Sequence, residues 1–448
     1  MGVPKYERPT LVRHVSGMMN KFSRVQAMRP LTHIDGVAVP NLVARFGSPL
    51  FVFSERTLVA RYRELSDAFS LRFPRVRIAW SYKTNYLDGI CRALHREGAW
   101  AEVVSAMEYE KARRNGIAGE RILFNGPYKP DSALERAFSD GARVHLDHFD
   151  EVMAAEGVAR RLGVRPKVAI RLNMAVTGAP PWSRFGFNLE NGQAIEAVRR
   201  IRAGDALDVA ALHCHLGTFI QDVSAYREQA AKLAEFANVL AREFGTFVEY
   251  VDIGGGFASR NTLHAQYLPG EQVTPSFAQY AEAVADGMAA LKAPSGREPA
   301  LVLETGRALV DEAGSLVTTV HANKRLPDGR RSLVVDAGAN LLFTSFWYKH
   351  DIVPAQEFSG TPEPTVVYGP LCMNIDVIRD NLLFPPMATG DLLVIRNVGA
   401  YNVTQWMQFI TERPGVVMVS RTGDVAPLRR RETVETLLAQ EEVPPWLS

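Results

Sequence analysis

The chain has 448 residues, 47% of them hydrophobic and 22% charged, with a formal net charge of +2. That length exceeds one ordinary core and predicts two domains. The balanced charge gives no reason to expect nucleic acid as a partner, and no apolar run approaches the length of a membrane span. Three cysteines, Cys91, Cys214 and Cys372, stand far apart. They form neither a disulfide framework nor a zinc pattern, so no metal site is expected and a reducing cytoplasm is the expected location.

The first thirty residues are basic and lack an apolar stretch followed by a small-residue cleavage site, so no secretory signal is expected. Their one acidic residue, Glu7, and their prolines argue against a mitochondrial address. The opening Met-Gly lacks the Ser or Thr of a myristoylation signal. The stretch 1–47 reads as an arm that partly joins a later domain.

From residue 77 a rhythm sets in. Apolar, β-rich runs end at 77–83, 99–105, 121–126, 143–148, 167–173, 209–217, 247–256 and 300–307. Helical patterns lie between them. One, "SAMEYEKARRNG", has Ser105 as N-cap, Glu108 placed for a capping box and Gly116 as a stop. Eight alternations of strand and helix predict an α/β barrel of the TIM type over 48–307. The strands are apolar through most of their length, as strands covered on both faces must be. After Arg307 the pattern changes to hairpins, beginning with "LVTTVHANKR", "PDG" and "RRSLVVDAG". A mostly β domain is therefore expected over 308–448, with a helical pattern near its end.

The polar residues that interrupt the barrel runs fall at strand ends, where a barrel of this kind places its chemistry. Lys83 ends the first strand, and Glu102 and Ser105 end the second. Arg171 ends the fifth, His213 and His215 the sixth, and Gly254, Gly255 and Gly256 the seventh. Glu304 and Arg307 end the eighth. A lone strand-end lysine is ordinarily a snorkelling surface residue, a lone His structural, and a glycine cluster a turn. Converging on one mouth, the set points to a site. "DIGGGF" offers backbone amides that a phosphate can approach closely, yet it matches neither a Walker loop nor a dinucleotide fingerprint. A phosphate site plus a strand-end lysine suits a phosphorylated aldehyde held as a Schiff base, and pyridoxal 5'-phosphate is that kind of cofactor.

"SYKTN", "HCHLGT", "DIGGGF", "ETGR", "GPLC" and "NVGAY" occur in this order between about residues 35 and 420. In this the chain resembles the barrel-type (fold type III) pyridoxal-phosphate decarboxylases of diaminopimelate, ornithine and arginine, the diaminopimelate enzymes above all. The resemblance implies a barrel plus a β domain, assembled as a head-to-tail homodimer with shared active sites. It implies that Lys83 forms the Schiff base, with its amine kept partly neutral by desolvation. It also implies that His215 stacks on the cofactor ring. Thr218, Gly254, Gly255, Gly256, Arg307 and Tyr401 would bind the phosphate, Glu304 would face the pyridine nitrogen, and Cys372 of the partner subunit would reprotonate the product. "ETGR" favours a decarboxylase over a racemase, because racemases on a related barrel place an arginine where Glu304 stands.

Substrate readers depart from the family pattern. Met373 follows the cysteine where diaminopimelate enzymes have glutamate and ornithine enzymes aspartate. Thr344 stands four residues before Tyr348, where an arginine is usual in the diaminopimelate enzymes, and Lys349 replaces the aspartate of the ornithine enzymes. Arg171 and Arg184, the latter in "PWSRFGF", are further candidates for a substrate carboxylate. Together these suggest a modified or carrier-bound amino acid rather than ornithine, with meso-diaminopimelate as the alternative substrate. Competing readings are a racemase, a cofactor-free binding relative and a barrel enzyme for phosphorylated sugars. The intact Lys83, His215, Glu304 and Cys372 oppose a cofactor-free relative, and the β domain with "GPLC" opposes the last.

Overall fold

The computed structural model describes residues 28–294 and 296–447. The basic segment 1–27 lies outside the described residues.

Eight parallel strands close a barrel: Val76–Ser81, Trp100–Val103, Ile122–Phe124, Arg143–Leu146, Lys167–Asn173, Asp208–Cys214, Tyr250–Asp252 and Ala300–Thr305. Each falls within, or within one residue of, an expected run. The fifth and sixth strands pair directly, and the eighth returns to the first, with Glu304 opposite Ala79 and Thr305 opposite Trp80. The extra short strand Phe187–Asn188 hangs on the fifth.

The barrel floor explains where the chemistry lies. Ala79, Leu123, Ala169, Ala211, Tyr250, Ala300 and Val302 form one buried cluster. Side chains two apart on a strand share a face. The next inward positions, one pleat up, are therefore Ser81, Asn125, Arg171, His213, Asp252 and Glu304. An apolar layer thus supports a polar one, and all six polar side chains are buried. The shape of the barrel, not sequence proximity, brings them together.

Beyond the barrel, Gly314–Arg325 is the spine of the second sheet. It pairs antiparallel with Arg331–Val335, Leu392–Arg396 and Leu50–Ser54. The hairpin around "PDG" is thus observed as expected. Leu50–Ser54, assigned to the barrel from sequence, belongs instead to this sheet, where it also pairs with Gly415–Val419. Its partners lie more than 250 residues later, a pairing that local pattern cannot display. Before it, helix Val39–Phe46 sets Val39 and Leu42 against Leu50, Val52, Val317 and Val394, so this part of the arm packs on the β domain. The expected late helix is short, Val434–Leu438.

Helix Ala106–Arg114 begins at Ser105 as expected, and the Ser105 hydroxyl accepts the Glu108 N–H. The capping box is not reciprocal, however. The Glu108 carboxylate reaches past Ser105 and accepts the N–H of Val104 at 2.8 Å. Among the described residues no helix is long and apolar enough to cross a membrane.

Candidate active site

The first strand stops at Ser81, and Lys83 sits on the short 3₁₀ turn Tyr82–Thr84 just beyond it. Its half-buried side chain forms a short ion pair with Glu102 of the second strand. Asn125 of the third strand then bridges two acids. Its amide donates to Glu102 at 3.1 Å and to Glu304 at 2.5 Å. The Ser81 hydroxyl donates to the Glu304 carbonyl at 3.1 Å. Lys83 and Glu304 are therefore joined by a single network at the C-terminal ends of the barrel strands. Burial alone would depress the Lys83 ammonium, but the carboxylates of Glu102 and Glu304 outweigh it and hold the group above its ordinary range. This corrects the sequence-based expectation that desolvation would win.

Around Glu304 the polar layer is crowded. His213 Nε2 lies 3.2 Å from one Glu304 oxygen, and His145 Nδ1 lies 4.0 Å from the other. Donor atoms of His145, His213, Asp252 and Glu304 all fall within 4.8 Å of one another, and all four side chains are buried. Burial holds both imidazoles far below their usual range, so they are neutral. Asp252 is pushed far above the ordinary carboxyl range, first by burial and then by the field of Glu304. Burial also opposes the charge on Glu304, yet the fields of His145 and Lys83, with the neighbouring Asp252 and Asn125 side chains, overcome it and hold Glu304 low. Two carboxylates this close in a buried site do not both ionise.

Beside this network lies a segment built of glycine and arginine. Gly254 adopts φ +69°, and a Cβ there would meet His215 Nδ1 at 2.8 Å. A Cβ on Gly255 would strike the Glu304 carbonyl oxygen at 2.1 Å. The cradle thus excludes any side chain. The Gly255 N–H donates to His215 Nδ1 at 3.1 Å, which places the imidazole proton on Nε2. Burial, with the charges of Arg171 and Lys83, pushes His215 down to about 3, so it stays neutral at working pH. Trp182 presents its ring edge-on to His215, with centroids 6.3 Å apart.

Arg307 is buried within an aromatic cage. Its guanidinium lies 4.8 Å from the Tyr401 ring, 5.0 Å from Tyr348 and 5.9 Å from Phe219. Asp311 holds one end at 3.5 Å, while its Nε has no hydrogen-bond partner among the described residues. Tyr401 is brought in from the β domain. Its N–H donates to the Thr84 carbonyl at 2.9 Å, and Thr404 donates to the Lys83 carbonyl at 3.0 Å. Thr218 is exposed on the loop just past the sixth strand.

The expected substrate residues scatter. Arg171 is buried, paired with Asp147 at 3.3 Å and stacked on Phe185 at 4.5 Å. Arg184 is exposed and stacks on the same ring at 5.1 Å. Thr344 is buried and occupied by protein partners. Its hydroxyl donates to Asn402 Oδ1 at 2.9 Å and receives a hydrogen bond from His350 at 2.9 Å. Lys349, expected to confront the substrate, instead donates to the Gln266 carbonyl at 3.1 Å, because Tyr348 bridges to Leu263 and docks the segment on that loop. Met373 is half-buried and Cys372 exposed, on a loop organised by Asp376, which accepts the N–H groups of Ala339 and Leu371. Among the described residues no hydrogen bond joins Cys372 to the Lys83 network.

Sequence reasoning gave no site role to Asn125, His145 or Asp252. Each carried a signal: a polar residue inside or at the end of an otherwise apolar strand, as in "YVDIGGG".

A cofactor with an anionic phosphate, a cationic ring nitrogen and an aldehyde fits this arrangement. The cradle and Arg307 suit the first, ionised Glu304 the second and Lys83 the third. Comparison with known proteins agrees. Residues 56–311 match the family model described as "Pyridoxal-dependent decarboxylase, pyridoxal binding domain". The diaminopimelate decarboxylase of Methanocaldococcus jannaschii is 30% identical over 92% of this chain and 95% of its own. That of Actinosynnema pretiosum is 34% identical over 91% and 92%. The crystal structure of the M. jannaschii enzyme with L-lysine superposes with a TM-score of 0.85 at 28% identity, covering 93% of this chain and 97% of the other. The chain belongs to the pyridoxal-dependent decarboxylase family and is a pyridoxal-phosphate-dependent carboxy-lyase acting on an amino acid.

Proposed function

We propose that the protein removes carbon dioxide from meso-diaminopimelate, with the pocket between Lys83 and Glu304 as its active site. The Lys83–Glu102–Asn125–Glu304 network carries this reading, since it joins an amine to an ionised carboxylate. Lys83 would hold the cofactor through its amine. The N–H groups of Gly254, Gly255 and Gly256, with Arg307, Tyr401 and the Thr218 hydroxyl, would hold the phosphate. Neutral His215, fixed by Gly255, would lie against the ring, and Glu304 would face the ring nitrogen. Bound there, pyridoxal phosphate supplies a sink for the electron pair left when carbon dioxide departs. A hydrogen bond to a charged group, as Glu304 would make, contributes roughly 1.5–3 kcal/mol.

The names of the relatives support diaminopimelate as substrate. So do Lys349 and Thr344, which are occupied by protein partners and leave little ground for a substrate chosen to suit them. One observation favours a modified amino acid instead: half-buried Met373 offers no charge to a distal ammonium. Carbon dioxide release by the reconstituted protein from meso-diaminopimelate, ornithine, arginine and N-acylated diaminopimelate separates the two readings. Turnover of meso-diaminopimelate at about 1 per second or faster supports the proposal. Turnover of only the acylated compound refutes it.

We also infer a homodimer in which Cys372 serves the partner's pocket and protonates the product. Exposed Ile375, Phe409 and Ile410 support it, because Asp376, which accepts the Ala339 N–H, and Asn340, which donates to the Phe409 carbonyl, tie their loops together near Cys372. A cytoplasmic location is consistent with the three free thiols.

A further inference from the structure

Charge counting around the polar layer of the barrel leaves Asp252 without a cation. Three cations are committed to carboxylates: Lys83 to Glu102, Arg171 to Asp147 and Arg307 to Asp311. Glu304 must be charged to face a ring cation. Asp252 remains, with no cation of its own. The groups facing it are Glu304 from the eighth strand, Glu102 from the second, neutral His213 from the sixth and neutral His145 from the fourth, with Tyr250 on its own strand. Its Oδ1 accepts the Gly254 N–H at 2.8 Å, its Oδ2 is buried with no hydrogen-bond partner among the described residues, and a carboxylate oxygen of Glu304 lies within 4.8 Å of one of its own.

We infer that Asp252 is a positioning residue that works as a neutral acid: Oδ1 holds the Gly254 N–H while the Oδ2 proton is donated to Glu304. One buried carboxyl then fixes the glycine turn that would cradle the phosphate and keeps the negative charge on Glu304. A second charge beside Glu304 would make one of the two take up a proton. If that were Glu304, the ring nitrogen would lose its anionic partner. The inference rests on the assignment of Glu304 proposed above.

Asparagine reproduces this bonding pattern. Its Oδ1 accepts the same N–H, and its Nδ2 donates where the carboxyl proton did. Asp252→Asn therefore rescues what Asp252→Ala loses. Cofactor affinity, measured by titrating cofactor-free protein with pyridoxal phosphate, is expected to fall about tenfold or more in the alanine variant and to recover in the asparagine variant. The visible band of the bound cofactor is expected to shift with pH in the alanine variant and to hold steady in the asparagine variant. In cofactor-free protein at pH 7, the infrared difference between wild type and Asp252→Asn should carry the carbonyl stretch of a neutral carboxyl. A carboxylate band there, or an asparagine variant as impaired as the alanine one, overturns the inference. If the alanine variant does not fold, the infrared difference still decides. Glu304→Gln serves as the control for the assignment beneath. If it leaves the cofactor band unchanged, the role of Glu304 fails, while the infrared result reads Asp252 alone.

Discussion

The two halves of the pocket are built differently. On the proposed cofactor half, four groups are fixed by neighbours in the same chain: Lys83 by Glu102, Glu304 by Asn125, His215 by Gly255 and Arg307 by Asp311 and three aromatic rings. On the substrate half, Cys372 is exposed, Arg184 is exposed, and Thr344 and Lys349 are turned to structural tasks. On our reading, a cofactor common to many reactions would be held by a self-contained layer. The part that selects the substrate is left for loops and, on our reading, for a second copy of the chain.

The sharpest way to break this contrast is at Cys372. Cys372→Ala should lower kcat by about 10²–10⁴-fold and leave the cofactor band intact. Mixing it with Lys83→Ala, each inactive alone, should restore up to about a quarter of wild-type activity through mixed dimers. No recovery would place the whole site within one chain. Glu304→Gln comes next. Its kcat/KM should fall about 10–100-fold while the protein still binds pyridoxal phosphate; unchanged kinetics would remove Glu304 from the cofactor half.

Glu108 tests how crowded with negative charge that half is. Burial raises its carboxyl from 4.5 to about 7. The folded state thus holds the proton more tightly than the unfolded one. Stability present below pH 4.5 is lost as pH rises to about 7. Glu108→Gln, which can still accept the Val104 N–H, should be more stable than wild type by roughly 1–3 kcal/mol above pH 7 and equal to it near pH 4. Denaturant midpoints at the two pH values read this directly, and an equal difference at both would contradict it. The smallest effect is expected at Lys349. Lys349→Met should leave the KM for diaminopimelate within about twofold, because the ammonium is spent on the Gln266 carbonyl. A large change would return Lys349 to the substrate half.

The same division governs what the sequence could reveal. All eight barrel strands were legible, because a strand covered on both faces writes a continuous apolar run. Lys83, His215, Glu304 and the glycines were legible because each interrupts or ends such a run. Asp252 and His145 gave the same signal but stood among stronger ones. Leu50–Ser54 was misplaced because its pairing with Gly314–Val317 is remote in sequence. The partners of Thr344 and Lys349 were hidden for a related reason. Spacing put them near Tyr348, but their partners, Asn402 and Gln266, lie far away in the chain.

We propose that Lys83, joined to Glu304 through Glu102 and Asn125, captures the cofactor. The most direct test is to load the protein with pyridoxal phosphate, reduce it with borohydride and map the modified peptide by mass spectrometry. The account predicts the pyridoxyl group on Lys83 alone, with none incorporated in Lys83→Ala. Label on another lysine, or equal labelling of the variant, would contradict it.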